Sequence, residues 1–358
     1  MSNSKISQVL KQMQKETLSQ ILVTSPSSVF YLTGVWMEPG ERLLAVLLDE
    51  AGRVTIFANE LFSKNVEGAD FPCVLHKDSE DPLQGLSSKI KPGKLGVDKF
   101  WQAKFLLPLL EKRPDVMPVL GSSPVDWARM QKDEAERDLM RLASRQNDKA
   151  VAAVIRDIRE GVQETELAAA LGDIYLELGA DFPIGSLNVS FGANASDPHH
   201  GPDRTKLLMP QCVLFDIYTP FSHYWCDMTR TVFFKDVNVE ERRVYETVKR
   251  ANEEAIKVVR PGILLSEIDR MARDVIADAG YGEFFTHRLG HGIGIDCHEP
   301  PDVSAVSAQV ALPGMIFSIE PGIYLPGKTG VRIEDLVLVT ESGCEVLNGY
   351  SKDLQVVG

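Results

Sequence analysis

The chain has 358 residues, 44% of them hydrophobic and 25% charged, the make-up of an ordinary soluble protein long enough for two domains and a large core. Its net charge, 38 − 51 = −13, argues against a nucleic acid or an anionic membrane as partner. The longest apolar run, residues 43–48, is far too short to span a bilayer. Residues 1–5 lead into polar, helix-like sequence without an apolar signal region, so a cytoplasmic protein is expected. Five scattered cysteines, never in a C-x-x-C, read as reduced thiols and not as a disulfide frame or a zinc knuckle.

In chain order, residues 4–16 have helical spacing. Residues 21–23, 45–48 and 54–57 read as short buried strands, and 104–112 as a helix. These make a small α/β domain over residues 1–122. Ser123 followed by Pro124 is a helix start with proline at its first position, so a second domain is expected over 123–358. The charged run 132–138 reads as a solvated helix face with i,i+4 pairs. Residues 132–160 and 164–178 read as two helices before a hairpin that carries Asp216 and Asp227, eleven apart. Residues 240–259 and 266–279 read as two more, before a hairpin that carries Glu320 and Glu334, fourteen apart. Helix, helix, hairpin with two acids thus occurs twice, which predicts two halves whose strands form a curved sheet with the acids in a cleft.

A carboxylate in an apolar strand is costly to bury unless something neutralises it. Four converging with one imidazole would repel each other, and a pair of divalent cations about 3.5–4 Å apart removes that problem and is a standard hydrolytic device. Six of the seven histidines (His199, His200, His223, His287, His291, His298) fall within residues 199–298. Three of them, at spacings of four and seven, lie in the glycine-rich stretch 287–300 between the two acid pairs. Glycines flanking His291 allow close backbone approach and positive φ where it is needed.

Four blocks resemble the prolidase, aminopeptidase P, creatinase and methionine aminopeptidase family, with its pita-bread catalytic fold. They are Gly192-Ala193-Asn194-Ala195-Ser196-Asp197-Pro198-His199; Asp216 through Tyr224 with Asp227 and Thr229-Arg230-Thr231; His287 to Pro300; and Glu320-Pro321-Gly322-Ile323-Tyr324 with Val331-Arg332-Ile333-Glu334-Asp335. Tyr31-Leu32-Thr33-Gly34 and Leu95-Gly96-Val97-Asp98 also resemble the amino-terminal domain of prolidases and aminopeptidases P, which methionine aminopeptidases lack. The implied fold is α/β (α+β): a small creatinase-like amino-terminal domain and a pita-bread catalytic domain with a curved, mainly antiparallel sheet.

The resemblance implies that Asp216 chelates one metal, that His291 and Glu320 hold the other, and that Asp227 and Glu334 bridge both. Four oxygen ligands to one nitrogen, with no thiolate, favour Mn²⁺, with Co²⁺ or Zn²⁺ as alternatives. A water bridging the two ions would be acidified to hydroxide. Glu320 is the candidate proton shuttle, and His298 the candidate donor to the scissile carbonyl or its oxyanion. His199 and His287 match histidines that position substrate. Arg332, on the same strand face as Glu334 by alternation, would orient the cluster; Tyr224 would do the same for Asp227, and Trp36 is a candidate substrate contact from the amino-terminal domain.

The implied activity is exopeptidase cleavage of Xaa-Pro bonds in short proline-containing peptides, by a homodimer. Two other readings are a metal-free hydrolase of the creatinase type, which predicts lost acidic ligands, and a non-catalytic scaffold, which would tolerate their loss; all five ligand positions are filled here. Dipeptidases and aminopeptidases of the family share every block. Residues 299–303 lack the basic residue that some dipeptidases carry there for a substrate carboxylate, which favours longer peptides. The chain departs from the family pattern at Pro210-Gln211, where Gly-Asp is usual, at Tyr218, where a glycine is usual, and at Cys226, where a serine is common. Tyr218 bears on the shape of the specificity pocket.

Overall fold

Residues 2–182 and 187–358 are described in a computed structural model, and their contacts divide the chain into two units, Met1–Arg129 and Met130–Gly358. The first unit contains α1 (Ser2–Lys15), β1 (Gln20–Val23), α2 (Pro26–Thr33), β2 (Leu44–Asp49), β3 (Val54–Asn59), α3 (Ser63–Val66), β4 (Cys73–His76), α4 (Leu83–Lys89), β5 (Gly93–Val97), α5 (Ala103–Lys112), β6 (Val116–Leu120) and most of α6 (Ser123–Met130). Its strands form one mixed sheet ordered β4-β3-β2-β1-β5-β6. The unbroken apolar runs of β1 and β2 are buried at every position, as strands covered on both faces require. Pro118 sits in β6 at the sheet edge, where a missing N–H costs no ladder bond.

The division falls seven residues beyond the expected boundary at 122, because α6 packs with the first unit. The Tyr31 hydroxyl donates to the Ala128 carbonyl at 3.0 Å, Arg129 Nη1 donates to Ser28 Oγ at 3.0 Å, and Lys99 pairs with Asp126 at 2.6 Å.

The second unit contains α7 (Glu134–Val154), α8 (Glu164–Glu177), β7 (Asn188–Phe191), β8 (Gln211–Phe221), β9 (Tyr224–Phe234), α9 (Val239–Val258), α10 (Leu265–Asp278), β10 (Gly290–Gly292), β11 (Glu299–Val303), β12 (Ile316–Ile319), β13 (Gly322–Leu325), β14 (Thr329–Arg332), β15 (Asp335–Val339), β16 (Cys344–Val346) and β17 (Val356–Val357). Two sheets, β17-β9-β8-β7 and β11-β10-β12-β15-β16, are antiparallel apart from β17, and β13-β14 form a two-stranded ribbon.

The expected duplication is present in hydrogen-bond detail. Asn147 on α7 donates to the Ile217 carbonyl at 3.0 Å, next to Asp216; Asn252 on α9 donates to the Ile319 carbonyl at 2.9 Å, next to Glu320. Before α8, Gly161 N–H donates to Leu207 O and Leu207 N–H to Val162 O; before α10, Gly262 N–H donates to Ala311 O and Ala311 N–H to Ile263 O. Each half therefore fixes its helix pair to its acid-bearing hairpin by the same polar device, with a buried asparagine that must be satisfied.

The run 132–138 is not the solvated face its composition suggests. Asp133 caps α7 in a capping box with Glu136, and Lys132, 2% exposed, pairs with the buried Glu299 at 2.7 Å. Pairs on the exposed side of α7, Arg137–Glu134 and Arg141–Asp138, are i,i+3.

Candidate functional site

Strands β8 and β9 pair over their full length and turn through Ser222 and His223, whose φ values of 52° and 66° mark a two-residue hairpin turn of the primed type. Neither is glycine. The Asp181 carboxylate accepts from both turn N–H groups, at 2.8 and 2.5 Å, and holds the backbone there. The register sets Asp216 opposite Thr229 and Tyr218 opposite Asp227, so both aspartates lie on one face as diagonal neighbours.

The glutamate hairpin is broken where its acids sit. Ile319 pairs with Asp335 in one sheet and Gly322 with Arg332 in the ribbon, leaving 320–321 and 333–334 between the two ladders. Pro321 has no N–H for the ladder. The backbone there turns to other strands: Glu320 N–H donates to Leu289 O at 2.9 Å and Glu334 N–H to Thr229 O at 3.1 Å. The second bond joins the two halves at the site. His291 lies in β10, and its flanking glycines are needed for close approach alone. A Cβ on Gly290 would overlap the Ser318 carbonyl and one on Gly292 the Pro300 carbonyl, while neither glycine has positive φ.

These elements line a cleft of about 510 Å³ that contains Asp216, Asp227, His291, Glu320 and Glu334, together with His199, His287, His298 and Arg332. Donor atoms of Asp216, Asp227 and Glu334 lie within 4.8 Å of one another, and so do those of His291, Glu320 and Glu334. The two groups share Glu334. His291 Nε2 is 3.3 Å from Glu320 Oε1 and 3.7 Å from Asp227 Oδ2, and its Nδ1 donates to the Gly292 carbonyl at 3.1 Å, which leaves Nε2 as the free lone pair.

Asp227 Oδ1 and Glu334 Oε1 are buried and have no hydrogen-bond partner. Burial and the neighbouring acids push both carboxyls well above the usual carboxylate range, and Glu320 up to about 7. Orphaned carboxylate oxygens crowded around a bare imidazole nitrogen fit a pair of divalent cations, whose charge would bring those carboxyls back to their ionised form.

The same shifts fix how the metal-free protein responds to pH. Burial lowers His291 to about 3 and His287 to about 4, so below about 6.5 the histidines and carboxyls pull stability in opposite directions. Above about 6.5, the ordinary histidine value, the folded state still holds carboxyl protons that the unfolded chain has released, and stability falls as pH rises. The melting temperature of EDTA-treated protein should therefore decline between pH 6.5 and 8.5, and the rise on adding Mn²⁺ should grow over the same interval. A flat metal-free profile across that range in scanning calorimetry would sink this account.

Arg332 stands where alternation put it. It bonds Asp216 Oδ2 at 2.8 Å through Nη2, Thr229 Oγ1 at 3.0 Å through Nε, and the Tyr324 hydroxyl at 2.8 Å through Nη1. Because the arginine must donate, Tyr324 donates onward to His287 Nε2 at 2.8 Å, and His287 Nδ1–H donates to the Arg288 carbonyl at 2.7 Å. His298 stacks obliquely on His291, ring centroids 3.9 Å apart. His199 sits on a loop braced by buried Glu164, which accepts from Phe191 N and Asn194 Nδ2 and also bonds Asp203 N and His200 Nε2, all at 2.7–3.0 Å.

One expected residue, Tyr224, lies elsewhere. Tyr224 is three positions from Asp227 and so on the opposite strand face, where its hydroxyl donates to Glu136 Oε1 at 2.7 Å. Trp36 belongs to the first unit, with its ring edge-on to Phe30 at 5.7 Å.

The sequence reading also missed several contacts. Thr229 Oγ1 bonds Glu334 Oε2 at 2.8 Å, Ser318 Oγ bonds Glu320 Oε1 at 3.0 Å, and the Cys297 thiol donates to Asp227 Oδ2 at 3.4 Å. Thr229 and Ser318 stand two positions from Asp227 and Glu320, so strand alternation was the signal for both. Cys297, in a loop, carried none.

Residues 138–341 match the model of metallopeptidase family M24, and residues 5–131 that of the creatinase/prolidase N-terminal domain. An uncharacterized peptidase of Staphylococcus haemolyticus is 36% identical over 98% of this chain and all of its own length. Among solved structures, a recombinant prolidase from Thermococcus sibiricus superposes with TM-score 0.95 at 33% identity, covering 100% of this chain and 99% of that one. An X-Pro aminopeptidase from Thermotoga maritima does so with TM-score 0.84 at 26% identity, covering 97% and 100%. Four acids and a histidine converge as the motifs require, within a match that spans most of the second unit, and the chain belongs to metallopeptidase family M24 and is a peptidase.

Proposed function

We propose that this peptidase is a two-metal exopeptidase that hydrolyses Xaa-Pro bonds of dipeptides or short peptides. The observation that carries the reading is the pair of orphaned buried oxygens, Asp227 Oδ1 and Glu334 Oε1, where the two donor groups meet. Asp216 would hold one ion and His291 with Glu320 the other, with Asp227 and Glu334 bridging; the donor set suits Mn²⁺, with Co²⁺ or Zn²⁺ as alternatives. When bound, two such ions acidify a water to hydroxide near neutral pH and polarise the scissile carbonyl.

The chain's own residues do the rest. Glu320, with its Oε1 bonded to Ser318, takes the water's proton and delivers it to the prolyl nitrogen, which as a tertiary amide carries no hydrogen of its own. His298 donates to the carbonyl oxygen as negative charge grows there. His287 has both ring nitrogens engaged and acts by position, while His199 faces the cleft and orients the substrate. Arg332 fixes Asp216.

Relatives named prolidase and X-Pro aminopeptidase support the proline specificity and do not separate its two forms. Arg288 reaches the cleft as a cation that residues 299–303 lack, and it is bonded there to Asp302. A cytoplasmic homodimer belongs to the same proposal. The test is EDTA-stripped protein with an Xaa-Pro dipeptide and an Xaa-Pro-Xaa tripeptide, each with and without Mn²⁺. Metal-dependent cleavage of either supports the reading, and the preferred length names the enzyme. Bound metal with no cleavage of either overturns it.

A further inference from the structure

The acid-bearing face of the β8–β9 hairpin does not end at its acids. Counting towards the turn, the cross-strand pairs are Asp216/Thr229, Tyr218/Asp227 and Pro220/Trp225. Arg332 bonds both members of the first pair and, through Tyr324, reaches His287. The part of the cleft wall that carries Arg332 and His287 therefore stands at the first pair, while His291 and His298 gather at Asp227 in the second. Tyr218 stands level with Asp227 at the second pair, and Trp225 lies beyond the acids, one pair nearer the turn.

Those two rings and a third form a continuous aromatic row. Tyr218, half-buried, lines the cleft; its ring lies 6.1 Å from that of Trp225, tilted by 38°. Trp225 meets Phe182 edge-on, 6.2 Å away and 73° inclined. The row is built and not incidental. Trp225 N–H donates to the Gly294 carbonyl at 2.8 Å, which ties the strand to the loop after His291. Asp181 clamps the hairpin turn through its carboxylate and the Pro220 carbonyl through its own N–H at 3.0 Å, and so sets its neighbour Phe182 against Trp225. Phe182 stays 41% exposed, apolar surface with no core to fill.

A peptide's charges orient it here. The amino group goes to the acids, the carboxyl end to the wall carrying His199, His287 and Arg288. The side chain of the first residue then faces the rest of the lining, Asn188, Pro198, Tyr218 and Cys297, among which Tyr218 offers the largest apolar face. We infer that Tyr218, backed by Trp225 and Phe182, is the subsite for the side chain preceding the scissile bond and selects aromatic and large aliphatic residues there. The inference rests on the Xaa-Pro exopeptidase reading. An aromatic or branched aliphatic side chain buries area against the tyrosine ring and gains ring-on-ring contact, whereas glycine gains neither.

The test compares kcat/KM of Mn²⁺-loaded enzyme on Phe-Pro, Leu-Pro, Ala-Pro and Gly-Pro. Ratios are read so that a general loss of activity cancels. Wild type should favour Phe-Pro and Leu-Pro over Gly-Pro by about tenfold or more. Tyr218→Ala should collapse that ratio to within about threefold, Tyr218→Phe should retain it, and Phe182→Ala, at an exposed position, should lower it partway. An unchanged ratio in Tyr218→Ala overturns the inference while leaving the exopeptidase reading intact. So does a raised Phe-Pro rate, which would make Tyr218 a wall that excludes bulk. No turnover by wild type of any of these dipeptides, or of the matching Xaa-Pro-Ala tripeptides, overturns the underlying reading and this inference with it.

Discussion

Replacing Glu334 by alanine is expected to lower kcat/KM on an Xaa-Pro substrate by on the order of 10³-fold, since in the proposed two-metal mechanism several kcal/mol of transition-state stabilisation would pass through the ions and each 1.36 kcal/mol is tenfold. Glu334 is the carboxylate common to both donor groups, so its loss degrades both ion positions at once. Metal content should fall from about two ions per chain to one or fewer by elemental analysis. The metal-free variant should nevertheless be at least as stable as metal-free wild type. Its missing carboxyl is one that burial and Asp227 hold far from its preferred ionised form. Activity and stability thus move in opposite directions, which separates a ligand from a merely structural acid. A variant that keeps two ions and near-wild-type turnover would remove Glu334 from the bridge.

The adjacent acid behaves in the opposite way. Asp335→Ala should cost about 3–5 kcal/mol in urea unfolding, the penalty for breaking one side of a buried ion pair. Asp335 is fully buried and accepts from Arg230 Nη2 and Lys352 Nζ, each at 2.7 Å. Arg230, 2% exposed, would be left facing an empty site. Burial opposes ionisation of Asp335, yet the two cations and their hydrogen bonds outweigh it and hold its carboxyl below the usual range. Its stabilisation is therefore present above the ordinary carboxylate pKa and is lost as pH falls through the lower folded value. Arg230 Nη1 also bonds the Glu334 carbonyl at 2.6 Å, so the variant should lose metal affinity through a shifted Glu334 backbone. A loss below about 1 kcal/mol would show that water takes the carboxylate's place beside Arg230 and Lys352.

Glu334 and Asp335 mark the limit of what the sequence could say. By residue type and spacing either could have been the ligand, and only the resemblance chose Glu334. The fold makes the difference physical: the ladder breaks at Pro321, and Asp335 resumes the main sheet while Glu334 falls in the gap. Neighbouring side chains then point to opposite faces, one to the cleft and one to Arg230. Tyr224, expected to orient Asp227, stands three positions from it, and strand alternation turns it to the opposite face and Glu136.

The sequence by itself determined the two-part architecture, the doubled helix–helix–hairpin and, with the resemblance choosing between neighbouring acids, the five residues of the acid–histidine cluster. Those signals are local, carried by hydrophobic period, costly acids in apolar strands, and glycines around a histidine. Only the tertiary structure decided that Lys132 is buried against Glu299, that Tyr324 relays Arg332 to His287, and that Phe182 and Trp225 extend Tyr218 into an aromatic row. Each depends on residues tens to hundreds of positions apart, or across a hairpin, whose meeting is set by sheet register and by the backbone bonds that join the two halves. No local pattern in the chain encodes those distances.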